Sequence, residues 1–523
     1  MRKFKALLTS VFFIMVLFSL QAVSSAAAFN AESYRTFVKG EMKTWNVPGA
    51  AILVIEDGKV VFSEGFGYKD IEKKTKVTPK TLFGIGSCSK AFVSLPIGML
   101  VDEKKIDFDK PIREYYPAFK LHDAYATEYL TVRDLLSHRT GLPRYDTAID
   151  PKDASRDEAM KKLKYFKLNK GIRERFQYCN FHYMAAGAIV DKVSGIAWEE
   201  FVSSRIFKPL NMNSSSLSPE DLKKSHDYAF PYKMNMEALK KFPENQAEYV
   251  GAPLKKLPVE DIGVYGPAGS INSNLEDMAK WVMLHLNQGK IGDKQLVSRD
   301  TLTELFTPQI LTGGPLKHEE VLPGSYGMAW GITPYRGNYL VSHDGMIEGF
   351  TAHVGFIPGK NIGLVILTNR ADNYEFIASL SFSAYDRALG LKEISWSKRF
   401  IDEFPAALAG LKKSREAEEK NRKKDTKPSH ALADYAGKYE HPAFGVATIA
   451  FENSNLIFSF RDIKETISPL KHFQYDTFRT SSKSIIGGFD MKVNFMMNEN
   501  GDIDRLLLPL EPTVKDIVFK KIK

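Results

Sequence analysis

The chain has 523 residues, 44% hydrophobic and 26% charged, with a formal net charge of +9. That length allows two to four domains, and the composition describes a globular protein with a sizeable core, which excludes disordered and collagen-like chains. The positive excess falls to +6 without Arg2, Lys3 and Lys5. Outside one linker the basic residues form no stripe, which argues against a nucleic-acid partner. Two cysteines, Cys88 and Cys179, are too few for a disulfide scaffold.

In chain order, residues 1–28 begin with the basic "MRKFK", continue through the apolar "ALLTSVFFIMVLFSL" and end in small residues. This is the order of a secretory signal peptide, and the run is short for a membrane span. Cleavage after Ala26 or Ala28 fits, so the mature protein is expected to be exported, periplasmic or secreted, with no stable membrane span. "AAILVIEDGKVVFSEGFGYKD" reads as two strands joined by an Asp57-Gly58 turn. "PKTLFGIGSCSKAFVSLPIGMLVDEKKI" reads as a long helix entered through a Gly-rich turn. Residues 131–290 are helix-rich; after residue 325 short strands return, followed by the helix "EFIASLSFSAYDRALG". Strands from both ends around a helical insert make residues 29–395 one α+β unit, its sheet flanked by helices. Residues 396–430 read as a charged linker, in which 412–430 is a solvated segment or helix. Residues 431–523 alternate apolar and polar residues and read as a small all-β barrel or sandwich.

SxxK occurs three times, at Ser87, Ser395 and Ser468. Ser468 lies in a predicted strand and Ser395 lies where the α+β pattern gives out. Ser87 follows "GIG" and opens an apolar-faced helix, near exposed N–H groups and the positive end of the helix dipole. Lys90 projects from the same face one turn on. A buried lysine can take a serine proton, so the pair offers nucleophile and base; a capping serine beside a surface lysine is the bland alternative. Tyr178 and Asn180 form the chain's single YxN, just before a helix. His343 and Gly345 form HxG on a predicted strand; in a second HxG, at His353 and Gly355, a packed histidine is the preferred reading.

Together these motifs resemble the serine β-lactamase and penicillin-binding-protein family. The match is to the class C-like branch that includes D-alanyl-D-alanine carboxypeptidases, D-amino-acid peptidases and some esterases. "TLFGIGSCSKAF", "TVRDLLSHRTGLP", "AGSINSNLEDMAKW" and "HDGMIEGFTAHVGFIPGKNIGLVILTN" share the likeness, which covers about residues 30–390. "KTG", a motif of related enzymes, is absent, and "HDG" stands in its place, as in some D-peptidases; this lowers the case for efficient β-lactam hydrolysis. The resemblance implies an antiparallel sheet beside a helical subdomain and a lipocalin-like appendage at the C-terminus. It implies Ser87 as nucleophile, Lys90 as its proton acceptor or as support for the tyrosine, and Tyr178 as proton relay. It implies that Asn180 orients the substrate and that His343 sits where the family places a cation for a substrate carboxylate. Gly345 would let the strand approach the substrate, and the backbone N–H groups of Ser87 and Met346 would form the oxyanion hole. No cofactor and no metal is expected, since HExxH and paired CxxC are absent. The partner is a small-molecule or peptide substrate. The cysteines follow Ser87 and Tyr178 directly, and those motifs meet in the family fold. A disulfide is open in an exported protein, although two buried thiols are the preferred reading. A catalytically silent binding protein is the competing class, with no reason to keep Ser87, Lys90, Tyr178 and His343 together.

Overall fold

The computed structural model describes residues 29–522, except 149, 154, 236–244, 315, 462, 464–465 and 481–490. The apolar leader expected over residues 1–28 lies outside the described residues. After the helix Ala31–Thr44 (α1), Gly49–Glu56 (β1) and Lys59–Asp70 (β2) form the expected hairpin. Both turn residues have positive φ, Asp57 at 49° and Gly58 at 71°, as a two-residue turn between twisted strands requires.

The long helix expected after it is divided. Gly86–Lys90 is a 3-10 turn, and the α-helix (α2) covers Ala91–Asp102. Gly86 has φ +50°, outside helical geometry, and a Cβ there would stand 2.6 Å from the backbone nitrogen of Met346. Residues Ala91 to Leu100 of α2 are all buried, the signature of a central helix. Phe92 stacks on Trp281 at 3.7 Å between ring centroids. The helical region supplies Asn180–Ser194 (α3) and Leu275–Leu286 (α4).

The second group of strands is Ile310–Leu311 (β4), Ser325–Tyr326 (β5), Gly331–Tyr335 (β6), Asn338–Ile347 (β7), Phe350–Ile357 (β8) and Ile362–Thr368 (β9). They join the first three, with Thr75–Lys76 as β3, in a nine-stranded sheet of order β4-β5-β6-β7-β8-β9-β1-β2-β3. The join between chain ends is antiparallel, with Ala50 opposite Thr368 and Ile55 opposite Gly363. Ala51, Leu53 and Ile55 enter one hydrophobic cluster with α2 and α4. Ala50, Ile52 and Val54 enter the other with α1 and the helix Tyr374–Ala388 (α5). The strand period of two thus serves two covered faces, and β1, β8 and β9 are apolar nearly throughout.

The charged segment is helical: Trp396–Asn421 (α6) starts with Trp396 and Ser397 buried, and near its far end Glu418 pairs with Arg479 and Lys492. Eight antiparallel strands then close a barrel: Gly437–His441 (β10), Gly445–Glu452 (β11), Asn455–Phe460 (β12), Ser468–Gln474 (β13), Thr477–Thr480 (β14), Lys492–Met497 (β15), Ile503–Leu508 (β16) and Ile517–Ile522 (β17). Pairing of Lys438 with Ile522 completes the ring, and closure leaves no free edge. Phe458, Phe460, Phe478, Phe495 and Phe519 are buried in it. Among the described residues no helix is long and apolar enough to cross a membrane.

Candidate active site

The 3-10 turn brings Ser87 and Lys90 together: Lys90 Nζ lies 2.9 Å from Ser87 Oγ. It also lies 2.8 Å from Asn180 Oδ1 and 2.9 Å from the Ala268 carbonyl. Lys90 is fully buried, and loss of solvation lowers its pKa from the usual lysine range to about 7, with Asp146 opposing the shift and Arg144 adding to it. A neutral amine has two N–H donors and one lone pair. Asn180 Oδ1 and the Ala268 carbonyl can only accept, so they take the two N–H groups and leave the lone pair facing the Ser87 hydroxyl. With its pKa lowered to about 7, a neutral Lys90 in this arrangement can take the Ser87 proton.

Tyr178 and Asn180 stand where the chain enters α3. Cys179 is the N-cap and Asn180 the first helical residue, so the asparagine does not cap the helix. Its Oδ1 accepts from Lys90 while its Nδ2 donates to Asp146 Oδ1 at 3.1 Å. Asp146 is also paired with Arg144 at 2.7 Å. The Tyr178 ring lies 4.9 Å from Lys90 Nζ and 5.1 Å from the Arg144 guanidinium. Burial raises the Tyr178 pKa, and a hydrogen bond with Ser87 and the Arg144 charge offset only part of the rise. Tyr178 is therefore a phenol at neutral pH, able to pass a proton but not to act as a ready-made base.

The third wall is the edge of β7. Pairing with β6 stops at Ser342, whereas pairing with β8 continues to Ile347 opposite Phe350. Residues 343–347 thus turn an edge free of β6 toward the Ser87 turn. Gly345 makes that approach possible: a Cβ there would stand 1.9 Å from the Ile85 carbonyl oxygen and 3.1 Å from the Ser87 nitrogen. Gly86 and Gly345 so let two backbones approach closely beside the amides of Met346 and Ser87.

His343 is 8% exposed and neutral. Burial and the nearby Lys90 lower its pKa to about 4. Its hydrogen bonds suit one neutral tautomer, in which Nδ1–H donates to the Asp344 carbonyl at 2.5 Å and Nε2 accepts from Tyr326 OH at 3.0 Å. Burial and Lys90 thus work against the cation expected at this position. His353 is the packed histidine expected, held between Asp344 Oδ1 at 2.6 Å and Tyr385 OH at 2.9 Å. Ser395 is the N-cap of α6 and Ser468 opens β13.

Both cysteines are buried free thiols. Arg144, Asp146, Ala268 and Tyr326 are the site residues that motif reading did not find. Asp146 lies 34 positions from Asn180, and no local spacing announces such a contact. A cavity of about 680 Å³, lined among others by Arg175, Phe176, Leu311 and Ser325, adjoins the site through Phe176, whose ring is 5.1 Å from that of Tyr326.

An α+β sheet with a half-buried serine beside a buried lysine at its open strand edge, followed by a closed barrel, defines a β-lactamase/penicillin-binding-like protein. Residues 35–381 match the Beta-lactamase family, and the chain belongs to it. Residues 421–521 match a domain of unknown function, DUF3471. An "unguisins hydrolase" of Aspergillus campestris is 28% identical over 460 residues, 84% of this chain and 81% of that protein. "Protein flp" of Staphylococcus aureus is 25% identical over 342 residues, 65% of this chain and 63% of its own length. The structure of the octameric penicillin-binding protein homologue from Pyrococcus abyssi shares the fold at TM-score 0.59 and 24% identity, covering 94% of this chain and all of that one.

Proposed function

We propose that this protein is an exported serine hydrolase that forms an acyl-enzyme on Ser87. Its substrates are peptides containing D-residues, handled as a penicillin-binding-type peptidase or amidohydrolase would, or β-lactams. The observation that carries the reading is Lys90 Nζ standing 2.9 Å from Ser87 Oγ, on an amine whose pKa burial lowers to about 7. Lys90 takes the hydroxyl proton as Ser87 Oγ bonds to the substrate carbonyl carbon. The oxyanion is received by the N–H groups of Ser87 and Met346. The carbon–leaving-group bond breaks as Tyr178 hands the leaving group a proton, which Lys90 replaces. Water then attacks the ester carbonyl and returns the serine. Membership of a hydrolase-containing family and a relative named as a hydrolase support the class of reaction.

The neutral His343 favours a second reading, an esterase or amidase on acyl groups without a carboxylate, because no positive charge stands at that position near pH 7. Intact-mass spectrometry after incubation with a fluorescent penicillin, and separately with an aryl ester, tests both readings. An adduct of one acyl group per chain, absent from Ser87→Ala, is the expected result. Slow release of penicillin indicates a peptidase, fast turnover a β-lactamase, and acylation by the ester alone an esterase. Neither adduct nor turnover with penicillins, esters or D-peptides would leave a silent binding protein.

A further inference from the structure

The loop carrying Arg144 and Asp146 is held from outside the catalytic domain. Arg461, just past β12, donates from Nη2 to the carbonyls of Thr147 at 2.8 Å and Ala148 at 2.5 Å. Its Nε is anchored within the barrel on the Phe444 carbonyl at 2.9 Å. Glu511, 5% exposed, accepts the Tyr145 N–H on Oε2 at 3.1 Å, while Thr513 donates to its Oε1. Tyr145 has φ +46°, a left-handed conformation that a non-glycine residue keeps only when its surroundings impose it. Those surroundings are shared, since the Tyr145 ring stacks on Phe166 at 4.8 Å and meets Phe444 of the barrel at 6.1 Å. A second strut reaches the tyrosine segment: Asn169 Nδ2 donates to the Thr513 carbonyl at 3.2 Å, and its Oδ1 accepts from Gln177, next to Tyr178, at 2.7 Å.

On the inner side the same loop meets the catalytic groups. Asp146 receives Asn180 Nδ2, the Arg144 carbonyl accepts from Cys179 Sγ at 3.0 Å, and the Arg144 guanidinium lies over Tyr178. Without the barrel, one N–H and two carbonyls of the loop lose their partners, and a backbone so released relaxes toward water or another conformation.

We propose that the C-terminal β-barrel is a working part of the catalytic centre. Through Arg461 and Glu511, as positioning residues, it holds the 144–148 loop so that Asp146 fixes Asn180 and Asn180 fixes Lys90. The proposal rests on the serine-hydrolase reading above, and it gives the barrel a task that its match to a domain of unknown function does not state.

The test uses the full chain and four variants: Arg461→Ala, Glu511→Ala, Glu511→Gln and Arg479→Ala. The last removes a barrel-to-α6 ion pair, 2.8 Å to Glu418, away from the loop. The limiting rate and half-saturating concentration of acylation by a fluorescent penicillin are measured beside hydrogen exchange at 145–148. In Arg461→Ala and Glu511→Ala the limiting rate falls about ten- to a hundredfold, as a small misplacement of catalytic groups does, with half-saturation little changed. Glu511→Gln, which keeps an acceptor for the Tyr145 N–H, retains most of the rate, and Arg479→Ala retains all of it. Exchange at 145–148 accelerates only in the two loop-releasing alanine variants. Equal acylation rates in all four, or a loss in Arg479→Ala as large as in Arg461→Ala, overturns the proposal. If the wild type is acylated neither by the penicillin nor by an aryl ester, and turns over no D-peptide, the serine-hydrolase reading fails separately. The exchange arm still decides the clamp, and unchanged exchange in Arg461→Ala overturns it.

Discussion

Cys88 Sγ lies 3.2 Å from the carbonyl oxygen of His343, so the residue after Ser87 is tied to the strand in front of it. Cys179 Sγ is tied in the same way to the Arg144 carbonyl. Burial raises both thiol pKa values, which keeps them protonated and unreactive. We expect no labelling of the native protein by a thiol reagent and two labelled cysteines per chain in denaturant without reductant. Zero labelled cysteines until reductant is added would show the disulfide instead.

On the proposed mechanism Lys90 sets the pH dependence of acylation. Its proton must be gone before it can serve Ser87, so the acylation rate rises with pH through about 7 and then levels. Lys90→Met removes the rise and lowers the rate by about a hundredfold or more. The same shift acts on stability. Below pH 7 both the folded and the unfolded chain hold the proton, and the cost of a buried charge is fully present. Above 7 the folded chain releases it while the unfolded chain keeps it up to about 10.5, so stability gains with pH across that window. Denaturant midpoints of the wild type relative to Lys90→Met should move in favour of the wild type between pH 6 and pH 10; a constant difference contradicts the lowered pKa.

His343 changes charge only near pH 4. Half-saturation for carboxylate-bearing and carboxylate-free substrates should therefore be flat from pH 6 to pH 8 as far as this residue is concerned. Binding of carboxylate-bearing substrates should strengthen only as pH falls toward 4, where Nε2 becomes a donor and Tyr326 must give up its bond to it. Selective weakening of carboxylate-bearing substrates between pH 6 and pH 8, abolished by His343→Gln, would restore the cationic role.

Gly345→Ala forces a Cβ onto the Ile85 carbonyl and parts the two backbones that frame the proposed oxyanion hole. Acylation should fall by about a hundred- to a thousandfold, the usual loss of one oxyanion donor or somewhat more. Gly359→Ala, where an added Cβ meets nothing within 4 Å, is the matched control and should change neither rate nor melting temperature measurably.

Much of this was legible in the sequence. Asp57-Gly58 marked the hairpin, alternation marked the barrel strands, and Ser87, Lys90, Tyr178 and Asn180 were marked by short motifs whose members sit within one turn of each other. What the sequence did not show arises from contacts distant along the chain. The division of the SxxK helix depends on Gly86 meeting Met346. The charge of His343 depends on its burial beside Lys90 and on Tyr326, which no HxG spacing includes. Asp146 and Arg144 follow a quoted family stretch yet carry no motif of their own. Their place in the site is set by Asn180 on one side and Arg461 and Glu511 on the other.

The antiparallel join of β1 to β9 has a consequence for how the chain is made. β1, "GAAILVIE", can pair with β2 as soon as both leave the ribosome, but its other edge waits until residue 368 has been synthesised. Through that interval a nearly all-apolar strand presents unpaired N–H and C=O groups, the kind of edge that captures other chains. Closing a loop of that span is also slow. The nascent protein is therefore most prone to aggregate while the helical region is being added, and a chaperone that shields this one hairpin edge would protect the whole assembly.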